Sequence, residues 1–457
     1  MRIDQFPRPR GDTGIGFHYH GDLHHYDRQS LNFWLDELRD LGASWLVLPS
    51  SLDQPVPEYF LRELIAAHVE PVIRVDVWPI GPVDRSRLLE VCRDYASWGV
   101  YYLHVYNEPN LATQWRMEEW AAPGLVERFA AMLFPALEAM HQAGLFPLIT
   151  PLAPGGHYWD LTFLKQLLAS LARDDHEHVL DRLGVCIHNY ASNRPLAWGK
   201  GGPERWPYVR PYNCPSGSQD HRGFCLFEWY DAIVRDQLGR SLPMICGETG
   251  LVPGTQNDAS FPVADEMLHG QRSVELARMV MDGDVPDYLL NLAFWALAAG
   301  DEDPTETHAW YKRDTSTLPA VGAIKQLKKH PRRFSWDDSA NRATTGESTR
   351  PIYHYALLQA PGSSPGSPDG PARWLLPAAM EYVAHFRPTV GFSVDEARRA
   401  SRVTVIGTDP RGVASAEDTL SQAGCLVEGL AVSSENELRA VLGELVQRGR
   451  RFRQLPG

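Results

Sequence analysis

The chain has 457 residues, 57 acidic and 44 basic, for a formal net charge of −13. Its length allows two or three domains, or one large barrel with an appendage, and a composition of 44% hydrophobic and 22% charged residues is that of a soluble globular protein with a large core. The acidic balance argues against a nucleic-acid partner, which calls for a basic stripe, and the most apolar stretch, 288–299, is shorter than the roughly 18–20 residues of a membrane span.

The opening MRIDQFPRPRGDTG lacks the apolar core of a secretory leader. A cytoplasmic protein is expected, or a secreted one whose leader has been removed. Six cysteines are too few for a disulfide scaffold. Cys186 and Cys246 sit in apolar runs and read as inert core thiols. Cys214 and Cys225 flank a loop rich in Pro, Gly and Ser, a spacing that permits a disulfide without requiring one.

Short apolar runs recur at 13–19, 44–49, 71–78, 101–108, 146–153, 183–190, 243–250 and 289–297. Near-continuous apolar runs suit strands buried on both faces, as in a parallel sheet. Helical patterns alternate with them at 30–42, 57–68, 85–99, 124–144, 160–174, 225–239, 270–283 and 319–330. Several of these end in Gly, the usual residue just past a helix. Eight strands alternating with helices predict an α/β fold, a (β/α)8 TIM barrel over residues 12–332. The competing doubly wound sheet would carry a Gly-rich phosphate turn after its first strand. Here GDTGIG precedes that strand.

Residues 333–372 read as an irregular connection, with a polar stretch at 335–350 and a Pro-, Gly- and Ser-rich one at 360–372. Beyond it, 373–457 reads as a small C-terminal α/β accessory module. Its strands are expected at 402–409 and 425–432 and its helices at 415–424 and 434–452.

In a barrel of this kind the active site lies at the C-terminal ends of the strands. The first strand ends in His18 and His20, the third in Arg74, Asp76 and Trp78, and the fourth in Asn107, Glu108, Pro109 and Asn110. The sixth ends in His188 and Tyr190, the seventh in Glu248, and the eighth in Trp295. Glu108 and Glu248 therefore face each other across the mouth. Two opposed carboxylates are the machinery of glycoside hydrolysis: one is held protonated to donate to the leaving oxygen, the other stays ionised to attack. The aromatic supply, 14 Trp, 17 Tyr and 16 Phe, suits the flat faces of sugar rings. Trp78, His157, Tyr158, Trp159, Trp198 and Trp206 stand where they would stack on substrate. The segment 192–223 is too long for an ordinary strand-to-helix connection and reads as a substrate-covering loop.

The Tyr106-Asn107-Glu108-Pro109 tetrapeptide resembles the acid/base signature of the clan A retaining glycoside hydrolases, among them family 5 and family 39, which are (β/α)8 barrels. The resemblance implies that Glu108 is the general acid/base, that Asn107 bonds the sugar 2-hydroxyl, and that Glu248 is the nucleophile. His188 and Tyr190 are similar to the clan's His-x-Tyr, whose Tyr orients the nucleophile; alternation along a strand puts both on one side. Trp295 resembles the clan's floor beneath the reacting sugar. Arg74 stands for the Arg that holds the nucleophile, although family 5 takes it from the second strand, which here ends in Leu48-Pro49-Ser50.

The expected activity is retaining hydrolysis of a β-linked poly- or oligosaccharide by double displacement, with a carbohydrate as partner and no metal or organic cofactor. Two alternatives remain in the sequence. His18-x-His20 also resembles the metal motif of amidohydrolase barrels, but the fifth and eighth strands end without the required ligands, and both histidines are expected to line a sugar subsite. A catalytically idle carbohydrate-binding barrel is the other, and it would have little need of both carboxylates.

Overall fold

The computed structural model describes residues 1–173, 177–300, 304–337, 352–359, 374–448 and 451–453. The chain divides into two compact units, Met1–Trp336 and Asp337–Gly457.

In the first unit the apolar runs pair as parallel neighbours in chain order and close on themselves. The strands are β1 (Ile15–His18), β2 (Trp45–Ser50), β3 (Glu70–Val75), β4 (Tyr102–Val105), β5 (Phe146–Ile149), β6 (Gly184–Tyr190), β7 (Met244–Gly250) and β8 (Leu292–Phe294). The helices that follow them are Arg28–Leu41, Glu58–Ala66, Arg85–Trp98, Leu125–Ala143, Asp160–Arg173, Leu226–Leu238, Glu266–Asp282 and Pro319–Gln326. This is a (β/α)8 barrel. The expected strands match these in order, and five of them, the first, third, fourth, fifth and eighth, overrun at the C-terminal end. At Tyr106, 150–153 and 295–297 the chain stays apolar or buried after leaving the ladder, so composition marks the exit poorly. Asp27, Asp84 and Asp265 cap three of the helices by accepting backbone N–H bonds, satisfying donors that the first turn leaves open.

Strand alternation sorts the core into two layers. Trp45, Val47, Val72, Tyr102, Phe146, Leu148, Cys186, Ile245 and Ala293 fill the interior. Their neighbours, such as Leu46, Ile73, Leu103, Ile187 and Cys246, pack against the helices. Phe6 and Phe334 join the inner cluster, and the Tyr102 hydroxyl donates to the Pro7 carbonyl at 2.6 Å. The N-terminal segment therefore plugs the floor of the barrel, and the opposite end carries the polar side chains.

All six cysteines are free. Cys214 and Cys225 donate to different carbonyls, those of Ser218 and Leu196. Burial pushes the Cys246 thiol up to about 12, as expected of an inert core group.

The second unit holds a four-stranded parallel sheet in the order β10-β9-β11-β12, built from β9 (Ile352–Gln359), β10 (Thr389–Gly391), β11 (Ala400–Gly407) and β12 (Leu426–Ala431). Helices Leu375–Phe386 and Glu435–Gln447 cover one face, and Pro410–Gln422 covers the other. The sequence reading left 352–359 inside an irregular connection. The structure instead makes it a central strand, buried from His354 to Leu358, because both faces of the sheet are covered. The stretch 360–372 and most of 335–350 lie outside the described residues. Among the described residues no helix is long and apolar enough to cross a membrane.

Candidate active site

The side chains at the barrel mouth follow from the same alternation. His18 on β1, Arg74 on β3, His104 on β4, and His188 and Tyr190 on β6 continue the inward-facing rows. Glu248 does not. Counting from Ile245, which faces inward, simple alternation would turn Glu248 toward the helices. The pairing of β6 with β7 shifts register between Ile187 and His188, so that Cys246 lies opposite Ile187 and Glu248 opposite His188. Gly247 is the extra residue. Such a bulge re-aims the side chains beyond it, and here it turns Glu248 into the mouth. A side chain here would be crowded: a Cβ at 247 would sit 3.0 Å from Cys186 Sγ and 3.3 Å from His188 Nε2.

Glu108 reaches the mouth by another route. Tyr106 and Glu108 both hold left-handed backbone, with φ of 70° and 46°, a strained conformation that persists only where the surroundings enforce it. The Tyr106 N–H donates to the Val75 carbonyl at 2.9 Å and the Glu108 N–H to the Pro151 carbonyl at 3.1 Å. His104 Nδ1 lies 3.1 Å from the Tyr106 carbonyl. Asn110 is fully buried and staples this loop to the next, donating to the carbonyls of Ala153 and Tyr158 and accepting from the Ala153 N–H.

These routes converge on one imidazole. His188 Nδ1 lies 2.9 Å from Glu108 Oε1 and 3.5 Å from Glu248 Oε2. The Tyr190 hydroxyl donates to Glu248 Oε2 at 2.6 Å, and Arg74 Nη1 stands 3.5 Å from Glu248 Oε1. Glu248 is 7% exposed, so these contacts hold a buried carboxylate by both oxygens. Asp76 fixes Arg74 in turn, accepting from Nε at 2.9 and 3.1 Å and from Nη2 at 2.8 Å.

The charges follow the contacts. Burial works against a proton on His188, but the carboxylates of Glu248 and Glu108 outweigh it and raise its pKa. Burial and the Arg74 charge keep His18 neutral, well below the ordinary histidine value, and push His104 down to about 3. A neutral His18 accepts from Arg74 Nη1 at 2.9 Å through Nε2. Burial and the charge of Glu248 raise the Tyr190 pKa well above the ordinary tyrosine value, so it stays a donor.

The remaining expected site residues divide. Trp295 packs its ring 4.6 Å from that of His18, at the rim of the site. Asn107 keeps a buried Oδ1 with no hydrogen-bond partner among the described residues. His20 turns away, its Nδ1 3.2 Å from the Ala299 carbonyl and its ring stacked 3.8 Å from His25. The His18-x-His20 pair therefore does not converge as metal ligands must. Among the described residues no cluster of three or more His, Cys, Asp or Glu side chains has a metal-holding arrangement. Trp78 is 75% exposed and bonds the Thr113 carbonyl, so the structure does not bring it to the carboxylates. Trp159 is buried edge-on against His221, and Trp198 donates to Asp220. Sequence reasoning missed the anchoring role of Asp76, the support from His104 and the bulge at Gly247. The first two had a signal, since both continue inward-facing rows. The third had only a glycine in an apolar strand.

The fold and site define a class: a (β/α)8 barrel with two carboxylates, one just after β4 and one on β7, meeting at its mouth. In sequence the chain matches no family model and no curated protein. In fold it is similar to a family 39 glycoside hydrolase from the gut symbiont Bacteroides cellulosilyticus WH2, at 12% identity over 70% of this chain and 64% of that one, with a TM-score of 0.47. A Bacteroides uniformis β-glucuronidase is similar at 11% identity over 75% of this chain and 37% of that one, with a TM-score of 0.43. An endo-β-1,4-glucanase from Xanthomonas axonopodis pv. citri is similar at 12% identity over 68% of this chain and 98% of that one, with a TM-score of 0.34. The chain thus spans less than two thirds of the length of the first two.

Proposed function

We propose that the barrel is a retaining β-glycoside hydrolase working by double displacement on a β-linked poly- or oligosaccharide. Glu248 attacks the anomeric carbon while Glu108 protonates the departing oxygen. Glu108 then takes a proton from the incoming water, which displaces Glu248 and releases the sugar.

The observation that carries this reading is the shared contact at His188. One nitrogen touches an oxygen of each carboxylate, so those oxygens stand no farther apart than the 2.9 and 3.5 Å contacts laid end to end. That upper bound on one oxygen pair accommodates the roughly 5–5.5 Å between the carboxyl groups of a retaining pair. Tyr190 and Arg74 orient the two oxygens of the nucleophile. The unpartnered Asn107 Oδ1 gives the site a ready acceptor for a sugar hydroxyl, and Trp295 offers a flat apolar face to the ring. Neither a metal nor an organic cofactor enters this chemistry.

The test is release of reducing sugar from a panel of β-linked polysaccharides and aryl β-glycosides, with Glu248→Gln beside the wild type. Release by the wild type alone, with the product first appearing as the β-anomer, is the expected result. Equal release by the variant would eliminate the mechanism.

A further inference from the structure

A cleft of about 430 Å³ opens beside Tyr190, on the flank of the barrel mouth. Its polar lining is Arg194, Arg222, His308, Ser192, Thr255 and Asn257, and no Asp or Glu among the described residues lines it. Two arginines and no carboxylate wall the cleft, and Asp220 and Asp258, outside that lining, pair with them.

Arg222 is fixed in place before any ligand arrives. Its Nε donates to Asp220 Oδ2 at 2.7 Å, and its Nη2 lies 2.6 Å from the same oxygen. Its stem packs against Gly155, where a Cβ would meet Arg222 Cδ at 2.5 Å, and its guanidinium carbon stands 5.9 Å from the centre of a Trp159 ring. A guanidinium presents two edges that can each grip an anion with parallel N–H bonds. Asp220 occupies the Nε–Nη2 edge. The Nη1–Nη2 edge has no described partner for Nη1, and the side chain is 41% exposed.

Asp220 pairs with the inner edge of Arg222, and the outer edge has no carboxylate partner among the described residues. Asp220 Oδ1 already accepts from Trp198 Nε1 at 3.0 Å, from the Arg222 N–H at 3.1 Å and from Arg194 Nη1 at 3.4 Å. Arg194 is 9% exposed. It is locked between Asp220 and Asp258, the latter accepting from Nε at 3.1 Å, and donates to the Arg222 carbonyl. It therefore braces the loop that presents Arg222 rather than competing for a ligand.

We propose that this cleft is a subsite for an anionic group on the sugar chain, a carboxylate or a sulfate ester, gripped by the open edge of Arg222. The inference rests on the hydrolase reading above and narrows its substrate to an acidic glycan. Preorganisation removes most of the ordering cost of the contact. A planar fork also suits carboxylate and sulfate oxygens better than a point charge does.

Two measurements test it. The first compares kcat/KM on β-linked tetrasaccharides that are neutral, uronate-bearing or sulfated, for the wild type, Arg222→Gln and Arg222→Lys. An acidic substrate is expected to lead the neutral one at least tenfold, with that preference collapsing in Arg222→Gln and only partly kept in Arg222→Lys. Whether the uronate or the sulfated arm leads identifies the anion. A wild-type preference for the neutral substrate, or an acid preference unmoved in Arg222→Gln at an unchanged melting temperature, would overturn the inference and leave the hydrolase reading standing. The second titrates glucuronate, glucose 6-sulfate and glucose into the wild type and Arg222→Gln by NMR, which needs no turnover. Saturable binding of an anionic sugar that Arg222→Gln abolishes supports the subsite even if no substrate is cleaved. Failure of both anionic sugars to bind overturns it.

Discussion

Replacing Tyr190 with Phe removes one oxygen and leaves the ring packing in place, so it isolates the hydroxyl's bond to Glu248. That bond is 2.6 Å long, is made to a buried carboxylate, and comes from a hydroxyl that burial and the Glu248 charge keep protonated. A hydrogen bond to a charged group contributes about 1.5–3 kcal/mol. At roughly 1.4 kcal/mol per tenfold, its loss from the reacting geometry lowers kcat/KM by roughly 10- to 150-fold. Among the described residues, Glu248 Oε2 would retain only His188 Nδ1, at 3.5 Å, as a polar neighbour. Because the donor does not titrate near neutrality, the deficit should be the same across pH 6–8. The assay is steady-state hydrolysis of aryl β-glycosides with leaving groups of graded acidity, which separates attack by Glu248 from hydrolysis of the intermediate. A Tyr190→Phe enzyme within about threefold of wild type, beside an inactive Glu248→Gln, would refute the claim that this hydroxyl orients the nucleophile. A matching fall in melting temperature would assign the loss to the fold instead.

Two further outcomes follow from the contacts. Asp76→Asn removes the acceptor that fixes Arg74 and should lower kcat on the order of tenfold with little change in KM, as loss of positioning does; an unchanged kcat would mean that His18 and Glu248 alone hold the guanidinium. Glu70, at the floor of the barrel, is buried with an unpartnered Oε1, and burial, helped by the nearby Asp12 carboxylate, raises its pKa well above the ordinary range. A raised acid contributes its stability below the unfolded value of about 4.5 and loses it as pH climbs through the folded value. Gln imitates the protonated form, so Glu70→Gln should melt near wild type at pH 4 and increasingly above it toward pH 8, where parallel melting curves would contradict the assignment.

How far the molecule was legible in its sequence depends on which interactions set each feature. The barrel order was readable because strands buried on both faces leave continuous apolar runs, and burial is a property of each segment by itself. The second unit shows where that signal fails: Ile352–Gln359 has such a run, but polar stretches on both sides hid it within an apparent connection. At the mouth, Glu108 and Glu248 were recognisable as residue types at strand ends, yet their meeting depends on features that belong to no single strand. The left-handed turns at Tyr106 and Glu108 are held by backbone bonds to Val75 and Pro151 on neighbouring segments. The bulge at Gly247 exists only in the register between β6 and β7. Without that one extra residue, alternation would send Glu248 to the helix side, and the sequence would carry the same residues with no site. The placement of Arg74 follows the same logic. An inward position on β3, anchored by Asp76 two residues on, brings a guanidinium within 3.5 Å of Glu248 from a strand other than the second. The proposed mechanism calls for a cation beside Glu248 Oε1, and the closed barrel lets more than one strand supply it.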